Sequence, residues 1–452
     1  MTSTPPDQRK HSTPAATVPA RTSRQMRRIA LAGFTGTVIE FYDLTLYAVA
    51  AALVFDKVFF PALGPAAGTI AAFGTLGVAF VARPIGALIF GHFGDRLGRK
   101  RMLVTTLLLM GCATVMVGAT PTADQIGIAA PILIVLLRIV QGIAAGGELA
   151  GAALFSTESA PAGKRGFWTM FTSLGGGFSI VLANATLLAV GVGLSDEQFV
   201  SFGWRIPFLA SGLLIAVGLY IRLKIDESPV FEAEAESSRD DERSKLPFVE
   251  AWRCQPRQMF LVAGISIMQA AFTYLGATYF ANIGTAQLGL TRNTVLAAGI
   301  AGGLCWALGV VVGATASDRV GRRPVLLVAT SAAVVWALLV FAILESASGG
   351  VYLLLLGVTM FIAGLEIGPI NVMLSELFDT RYRYTASAFA YNIGLVLGGA
   401  TPPIIGGAIT AAYGAVVFGV VVAVLCLISL LSAIGLPETR NRDLCDVLAS
   451  ER

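Results

Sequence analysis

Gly91-His92-Phe93-Gly94-Asp95-Arg96-Leu97-Gly98-Arg99-Lys100 stands between two long apolar segments of the chain. Ala314-Thr315-Ala316-Ser317-Asp318-Arg319-Val320-Gly321-Arg322-Arg323 nearly repeats it, with the aspartate, arginines and a glycine at the same internal spacing. Two charged, glycine-bearing turns in matching places, each flanked by apolar sequence, indicate a membrane protein built from two similar halves. Internal repeats of this kind are typical of solute transporters.

The composition independently indicates a membrane protein. Apolar residues make up 55% of the chain and charged residues only 13%, and the mean hydropathy is +0.75. A soluble domain has about a quarter of its residues charged, and the apolar segments here are each close to the ~20 residues that cross hydrocarbon. We therefore predict an all-α membrane protein with twelve transmembrane helices. The predicted spans are 29–53, 67–90, 102–120, 127–153, 167–191, 203–223, 258–282, 293–313, 325–344, 351–374, 386–411 and 414–436.

The distribution of positive charge predicts the orientation. With these spans, the basic residues of both tails, both repeats and the middle segment fall on one side, and only Lys57, Arg292 and Arg205 are assigned to the other. Positively charged loops stay in the cytoplasm, so both termini are predicted to be cytoplasmic in a multi-pass protein of the cell (inner or plasma) membrane. These clusters are short loops and not one continuous face, which argues against a nucleic-acid partner.

A second repeated pair supports two halves of six helices each. Glu158 is followed seven residues later by Arg165, and Glu376 is followed seven residues later by Arg383. The predicted organisation is a disordered cytoplasmic tail without a signal peptide (1–28), a first six-helix bundle (29–223), a cytoplasmic linker (224–257), a second bundle (258–436) and a cytoplasmic tail (437–452).

These motifs resemble those of the major facilitator superfamily and, within it, the metabolite:H⁺ symporter family. Besides the paired loops, the resemblance rests on Val38–Asp43, Ala82–Gly86, Arg138–Gly142, Gly146–Glu148, Gly203–Phe208, Glu227–Pro229, Arg383–Thr385 and Tyr391-Asn392. The resemblance implies the major facilitator fold, in which two pseudo-symmetric six-helix bundles rock around a central site and give alternating access to it. The chain departs from the family pattern at Ala314, Glu366 and Asp379. No long coiled-coil tail follows the last span, which argues against an osmosensor role.

Ionisable groups inside the predicted spans are the first functional candidates, since each costs at least ~2.5 kcal/mol in the bilayer centre. Glu40 and Asp43 lie three residues apart on one helical face, with Tyr47 one turn further on. Two carboxyls in a low-dielectric cavity repel each other, so at least one should hold a proton. We predict proton coupling at Asp43 and Glu40; the alternative is an ion pair with a neighbouring arginine that only holds the bundle together.

The fourth predicted span carries one polar stripe, Arg138, Gln141, Ala145 and Glu148. Arg138 and Glu148 are therefore further candidates for proton coupling. A guanidinium matches a substrate carboxylate in geometry, and it equally matches a carboxylate of the protein. Both roles for Arg138 remain open from the residues alone.

Further polar residues in the spans are candidate substrate contacts, with helix–helix hydrogen bonding as the structural alternative. They are Arg83, Tyr47, Gln141, Gln269, Tyr274, Glu366, Asn371, Tyr391 and Asn392. The resemblance implies a different role for the charged residues at the repeats, a salt-bridge network that forms in one conformational state and breaks in the other. The residues of this predicted switch are Asp95, Arg96, Arg99, Glu158, Asp318, Arg319, Arg322 and Glu376.

The leading hypothesis is proton-coupled symport of a small metabolite, an organic acid, by alternating access. The alternatives are a sugar or proline/betaine porter, an uncoupled facilitator and a transporter-like sensor. The chain has no phosphate-binding loop, its only histidines are His11 and His92, and its cysteines lack metal-ligand spacing. We therefore expect no enzyme activity, no cofactor and no metal. The expected partners are the metabolite, protons and lipid, with no obligate protein partner.

Overall fold

The structure is a computed structural model that describes residues 23–97, 99–146, 148–161, 163–223, 247–344, 347–379, 381–440 and 442. Within these ranges every regular element is helical. Eleven of the helices are long and apolar enough to cross a membrane, and a bent pair supplies a twelfth. The all-α prediction is thus confirmed.

We label the membrane helices α1 to α12 in chain order. They are α1 Arg24–Val58, α2 Ala67–Phe93, α3 Arg101–Ala119, α4 Ala129–Gly146, α5 Arg165–Val192, α6 Asp196–Gly203 with Arg205–Ile221, α7 Pro256–Ala286, α8 Arg292–Val320, α9 Arg322–Leu344, α10 Gly349–Leu377, α11 Arg383–Tyr413 and α12 Ala415–Gly435. The two parts of α6 meet at 44°. Two shorter helices flank them, Glu148–Ser159 after α4 and Pro247–Cys254 before α7.

Several helices extend past the predicted spans because apolarity ends at the membrane surface, whereas a helix ends where its backbone turns. In α8 the helix runs on through Asp318 to Val320, and Gly321, with φ of 109°, ends it. We call the end of the bundle where α8 turns into α9 and α2 into α3 the motif end, and the opposite end the distal end. The charge distribution predicts that the motif end is cytoplasmic.

The first helix of each half contains one wider, π-helical turn. In α1 this turn is Ala51–Phe55, and in α7 it is Leu275–Tyr279. The two lie at nearly the same offset as the repeated loops, so the duplication extends to a local irregularity of the backbone. Turns of this type are frequent at functional sites.

Glycine brings helix backbones into direct contact, both within the second half and between the halves. A Cβ on Gly364 of α10 would lie 2.0 Å from the carbonyl oxygen of Trp306 in α8. Across the halves, a Cβ on Gly303 of α8 would lie 3.0 Å from the carbonyl oxygen of Gly177 in α5. Glycine in the stretch Gly175-Gly176-Gly177 therefore allows α5 and α8 to pack closely.

The close approach of α8 and α10 makes Gly364→Ala a test of the packing. The added methyl cannot fit at that distance from a backbone carbonyl, so the helices must separate, and we expect a loss of about 1–3 kcal/mol in the free energy of unfolding. The matched control is Gly74→Ala in α2, where a Cβ would meet nothing within 4 Å. Thermal unfolding in detergent should show a lower Tm for Gly364→Ala only; equal Tm values for the two variants would contradict the packing.

Candidate transport site

Asp43 lies in the interior of α1, 3% exposed, with side chains from α3 and α4 around its carboxylate. Gln141 Nε2 donates to its two oxygens at 2.9 and 3.0 Å, and Thr114 Oγ1 lies 2.5 Å from Oδ1. Arg138 Nη1 stands 3.9 Å from Asp43 Oδ2 and donates to Gln141 Oε1 at 2.8 Å. Three helices of the first half therefore converge on one carboxyl group.

The hydroxyl of Thr114 gives Asp43 two possible hydrogen-bonding arrangements. Thr114 Oγ1 also lies 2.8 Å from the carbonyl oxygen of Met110, and a hydroxyl has a single hydrogen to donate. When Asp43 is ionised, Thr114 donates to it. When Asp43 carries a proton, Asp43 donates to Thr114 and Thr114 donates to Met110. The same heavy-atom geometry thus accommodates both protonation states.

Two arginines beside this carboxyl have buried N–H donors that make no hydrogen bond to the described residues. Arg138 and Arg83 are 0% and 1% exposed, and the Nε and Nη2 atoms of each have no hydrogen-bond partner among the described residues. The Arg138 guanidinium lies 3.8 Å from the ring centroid of Tyr47, whose hydroxyl is 2.6 Å from Thr75 Oγ1. Buried donors without partners are costly, and four of them in one region favour an anionic ligand.

A contact between two aromatic rings extends the site into the second half. The Arg83 guanidinium lies 5.2 Å from the Phe80 ring centroid, and Phe80 packs edge-on against Tyr274 of α7 with centroids 4.7 Å apart. Glu40 is fully buried one helical turn before Asp43. The predicted candidates Glu40, Asp43, Arg83 and Tyr274 therefore lie in one buried region between the halves.

The second half contributes a chain of neutral polar groups. Tyr391 Oη donates to Gln269 Oε1 at 3.1 Å, and Gln269 Nε2 donates to Thr273 Oγ1 at 3.2 Å. Trp306 Nε1 donates to the same Thr273 oxygen at 3.2 Å. The side chains of Gln269 and Tyr391, which were both predicted to contact substrate, are thus hydrogen-bonded to each other.

Two other predicted substrate contacts bind the opposite half of the protein. Asn371 Nδ2 donates to Ser173 Oγ of α5, and Asn392 Nδ2 donates to the carbonyl oxygen of Gly146 in α4, both at 2.8 Å. In this arrangement their amides connect the halves, as the structural alternative for buried amides anticipated.

At the motif end, the two halves exchange ion-pair partners. Arg165 Nη1 binds Glu376 Oε1 at 3.1 Å, and Arg383 Nη1 binds Glu158 Oε1 at 3.1 Å. Each repeated glutamate therefore pairs with the arginine of the other half. Glu376 also binds Arg322, another residue of the predicted switch, at 3.4 Å.

The second repeat loop also caps a helix of the first half. Asp318 binds Arg322 at 2.7 Å, and its two oxygens accept the backbone N–H groups of Gly166 and Phe167 at 2.9 and 2.8 Å. These N–H groups begin α5, where the helix dipole favours negative charge. Arg319 is exposed. The side chains of Asp95, Arg96, Arg99 and Glu148 lie outside the described part of the structure.

At the distal end, one ion pair joins the halves beside a cavity. Arg292 of α8 binds Asp196 at 2.7 Å and donates to the carbonyl oxygen of Gly191 at 3.0 Å. The adjacent cavity has a volume of about 740 Å³, and Asp56 and Asn282 are among its lining residues. Among the described residues the two ends thus differ, because the motif end has several ion pairs and the distal end has a cavity beside one ion pair.

The sequence of residues 33–402 matches the profile of the Major Facilitator Superfamily. This chain belongs to the major facilitator superfamily. It is 39% identical over 426 residues to the inner membrane metabolite transport protein YhjE of Escherichia coli K12, covering 92% of this chain and 95% of the relative. The shikimate transporter of the same strain is 36% identical (92% and 95% covered), and the proline/betaine transporter is 30% identical (93% and 85%). The relatives of this superfamily member are transporters and not enzymes.

Solved structures confirm the major facilitator fold of this transporter. The proton:xylose symporter XylE bound to 6-bromo-6-deoxy-D-glucose superposes with a TM-score of 0.78 at 18% identity, covering 95% of this chain and 99% of that one. The inward-open conformation of XylE from E. coli gives 0.68 at 18% identity, covering 94% and 99%. At this identity the likeness concerns the fold alone.

Sequence reasoning did not identify several residues of the central site and of the motif end. Thr114 is one threonine in an apolar helix, and nothing in its neighbourhood distinguishes it. Residues 437–452 were predicted only as a cytoplasmic tail. In the structure, Glu438 accepts the backbone N–H groups of Arg322 and Arg323 at the start of α9, at 2.9 and 3.0 Å. Thr439 Oγ1 donates to Glu376 at 2.8 Å. The signal in the sequence is Pro437-Glu438-Thr439-Arg440, where a carboxyl and a hydroxyl directly follow the last membrane helix.

The exchanged ion pairs predict a large stability effect. Glu158 and Arg383 are each 1% exposed. Losing one partner of a buried pair leaves the other charge buried without compensation, which lowers the free energy of unfolding by about 3–5 kcal/mol. Glu158→Gln should therefore lower Tm strongly, and adding Arg383→Gln should recover part of the loss. Glu250→Gln, which breaks a pair with the 45%-exposed Arg381, is the control, with an expected effect of at most ~1 kcal/mol. Additive losses in the double variant would contradict the pairing.

Glu438 predicts a pH-dependent contribution to stability. Burial opposes its ionisation, but backbone N–H bonds from Arg322, Arg440, Arg323 and Thr439 outweigh this and hold its pKa below the ordinary range. Because the folded-state pKa is depressed, the contribution is present above the unfolded-state pKa of about 4.3 and disappears as pH falls through the folded-state pKa. Wild type should exceed Glu438→Gln in Tm at pH 7, and the gap should shrink in acid. The exposed Glu197→Gln is the control, and a gap independent of pH would contradict the assignment.

Proposed function

We propose that this transporter carries a small organic anion together with protons, by alternating access of its two halves to the central site. The observation that carries the proposal is the pair of buried arginines, Arg83 and Arg138, with unused donors beside a carboxyl that fits both protonation states. The metabolite and shikimate transporters among its relatives support a metabolite as the cargo.

The free donors suit a carboxylate. On each guanidinium they are Nε and Nη2, the adjacent pair that makes two parallel hydrogen bonds to a carboxylate. Hydroxyl groups of a sugar would fill the donors but leave the cationic charge uncompensated. A carboxylate would supply both the acceptors and the charge.

Charge balance then links the proton to the anion. Ionised Asp43 compensates Arg138 at 3.9 Å. A proton on Asp43 removes that compensation and leaves the guanidinium to an incoming anion. The states with balanced charge are therefore the empty, deprotonated site and the site that holds both proton and anion, and these are the states that can reorient at least electrostatic cost. Symport follows from this coupling.

The ion pairs at the ends would serve as the switch. Opening the site toward the motif end requires separation of Arg165 from Glu376, of Arg383 from Glu158, and of Asp318 from the start of α5. Opening toward the distal end requires loss of the Arg292–Asp196 pair. The distal cavity would be the entry for substrate, with the motif end and both termini in the cytoplasm, as the basic loops favour. The protein would then import its substrate across a cell membrane.

The proline/betaine transporter relative keeps a compatible solute as the second candidate. Such a zwitterion also has a carboxylate, so Arg83 and Arg138 could bind it. It adds no net negative charge, however, and would leave the protonated site cationic. A net-anionic substrate fits the two arginines better.

Proteoliposomes with an internal pH dye test the proposal. The panel is 2-oxoglutarate, shikimate, citrate, proline, betaine and glucose. We expect one of the acids to acidify the lumen. Asp43→Asn should abolish the proton signal, because the amide can neither exchange a proton nor compensate Arg138, and the empty site then cannot reorient. Arg138→Lys keeps the charge but loses the two-donor geometry, so KM should rise about tenfold or more, matching a charged hydrogen bond of about 1.5–3 kcal/mol.

Asp124→Asn, at an exposed carboxyl near the distal end, is the matched control and should behave as wild type. Movement of a panel solute by the wild-type protein without any proton signal would refute coupling. A proton signal with glucose alone would refute the anionic substrate.

A further inference from the structure

The second half contains a buried carboxyl that the proposed mechanism does not use. Glu366 in α10 is 0% exposed, and neither carboxyl oxygen has a hydrogen-bond partner among the described residues. No lysine or arginine of the described chain lies within ion-pair distance of it. Its situation is the opposite of that of Asp43, which three side chains surround.

The surroundings of Glu366 contain no charge that could compensate an ionised carboxylate. The backbone of Gln269 in α7 lies beside it, and the titratable groups that face it are the phenol of Tyr391 in α11 and the thiol of Cys426 in α12. Within the described residues, α5, α8, α9 and the short helix Glu148–Ser159 also pack on α10, and none of them places a charged group beside Glu366.

A carboxyl in such a pocket is held as the neutral acid, because an isolated carboxylate without water or a cation is far costlier than the acid. A purely structural acid of this kind would be expected to donate its hydrogen to a neighbour. The described structure instead offers no acceptor to either oxygen of Glu366, and the backbone N–H of Gln269 beside it can only donate. The group is therefore poorly satisfied in this state, and it would be better satisfied in one that exposes it to water.

The local backbone allows such exposure. Pro369 lies three residues after Glu366 inside α10, and a proline there leaves the carbonyl of Leu365 without its helical N–H partner. That carbonyl lies against Gly313 of α8, 2.1 Å from where a Cβ would stand. The helix is thus weakened next to Glu366, and glycine contacts let α8 and α10 slide against each other.

We propose that Glu366 is a second proton carrier of this transporter, protonated in the closed state described here and deprotonated when the second half opens to water at the motif end. This rests on the proposed proton-coupled function and deepens it. Asp43 and Glu366 each take up one proton on the distal side and release it on the motif side, so two protons accompany each anion. The empty transporter then returns with Glu366 ionised and still in contact with water, and Glu366 is buried again only after it takes up the next proton. No bond other than O–H is made or broken.

The first readout needs no substrate. Infrared spectra of the full-length protein in lipid at pH 7 report protonated carboxyls through their C=O stretching band. We expect a band that survives in Asp43→Asn and is missing from the Glu366→Gln variant. If wild type and Glu366→Gln have the same C=O spectrum, Glu366 is ionised in the resting protein and the proposal is overturned.

The second readout is the ratio of protons to anions, from the pH dye and a radiolabelled panel acid in the same proteoliposomes. Glu366→Gln has the same shape and neutral charge, so it should fold, keep transport and lower the ratio from about two to about one. Glu366→Asp retains an acid and should restore the wild-type ratio, and Tm verifies the fold of both.

The possible results separate this inference from the proposed function. Loss of the infrared band with an unchanged ratio makes Glu366 a structural acid and overturns the second proton. A wild-type protein that moves no protons with any panel acid overturns symport itself, and the two-proton claim with it. Wild-type symport with an unchanged ratio in Glu366→Gln overturns only the inference about Glu366.

Discussion

The absence of water in the bilayer core is the constraint on which this structure depends. A charge placed there must find its compensation within the protein, and the first half does so by converging α1, α3 and α4 on Asp43. The compensation is incomplete, since buried guanidinium donors of Arg83 and Arg138 remain unused. Such a site is stable when empty and would be better satisfied by an anionic ligand, which is the basis of the proposed binding.

Because the chain is duplicated, similar ion pairs also join the two halves at the motif end. Because the repeated glutamates and arginines pair across the halves, neither half can close the motif end alone. Asp318 adds a contact to the start of α5, and the tail residue Thr439 adds one to Glu376. The closed end is therefore a network of many individually modest interactions, which a rigid-body movement would break together.

The two halves share a fold but not a chemistry. At the central site, the first half holds the buried cations and their carboxylate, whereas the second half offers neutral amides, phenols and the isolated Glu366. Glycine-mediated contact between α8 and α10, and between α5 and α8, keeps these halves close enough for their side chains to meet. Sequence symmetry thus supplies the scaffold, and its local departures supply the site.

The sequence by itself determined the helical class, the number of spans, the duplication and the identity of the unusual charges, because each of these depends on the hydropathy and spacing of neighbouring residues. Tertiary structure alone decided the partners: Asp43 with Thr114, Glu158 with Arg383, Asn392 with Gly146. Partners separated by tens to hundreds of residues leave no mark on local pattern. Thr114 resembles any other helical threonine, and only the packing of α3 against α1 places it beside a carboxyl.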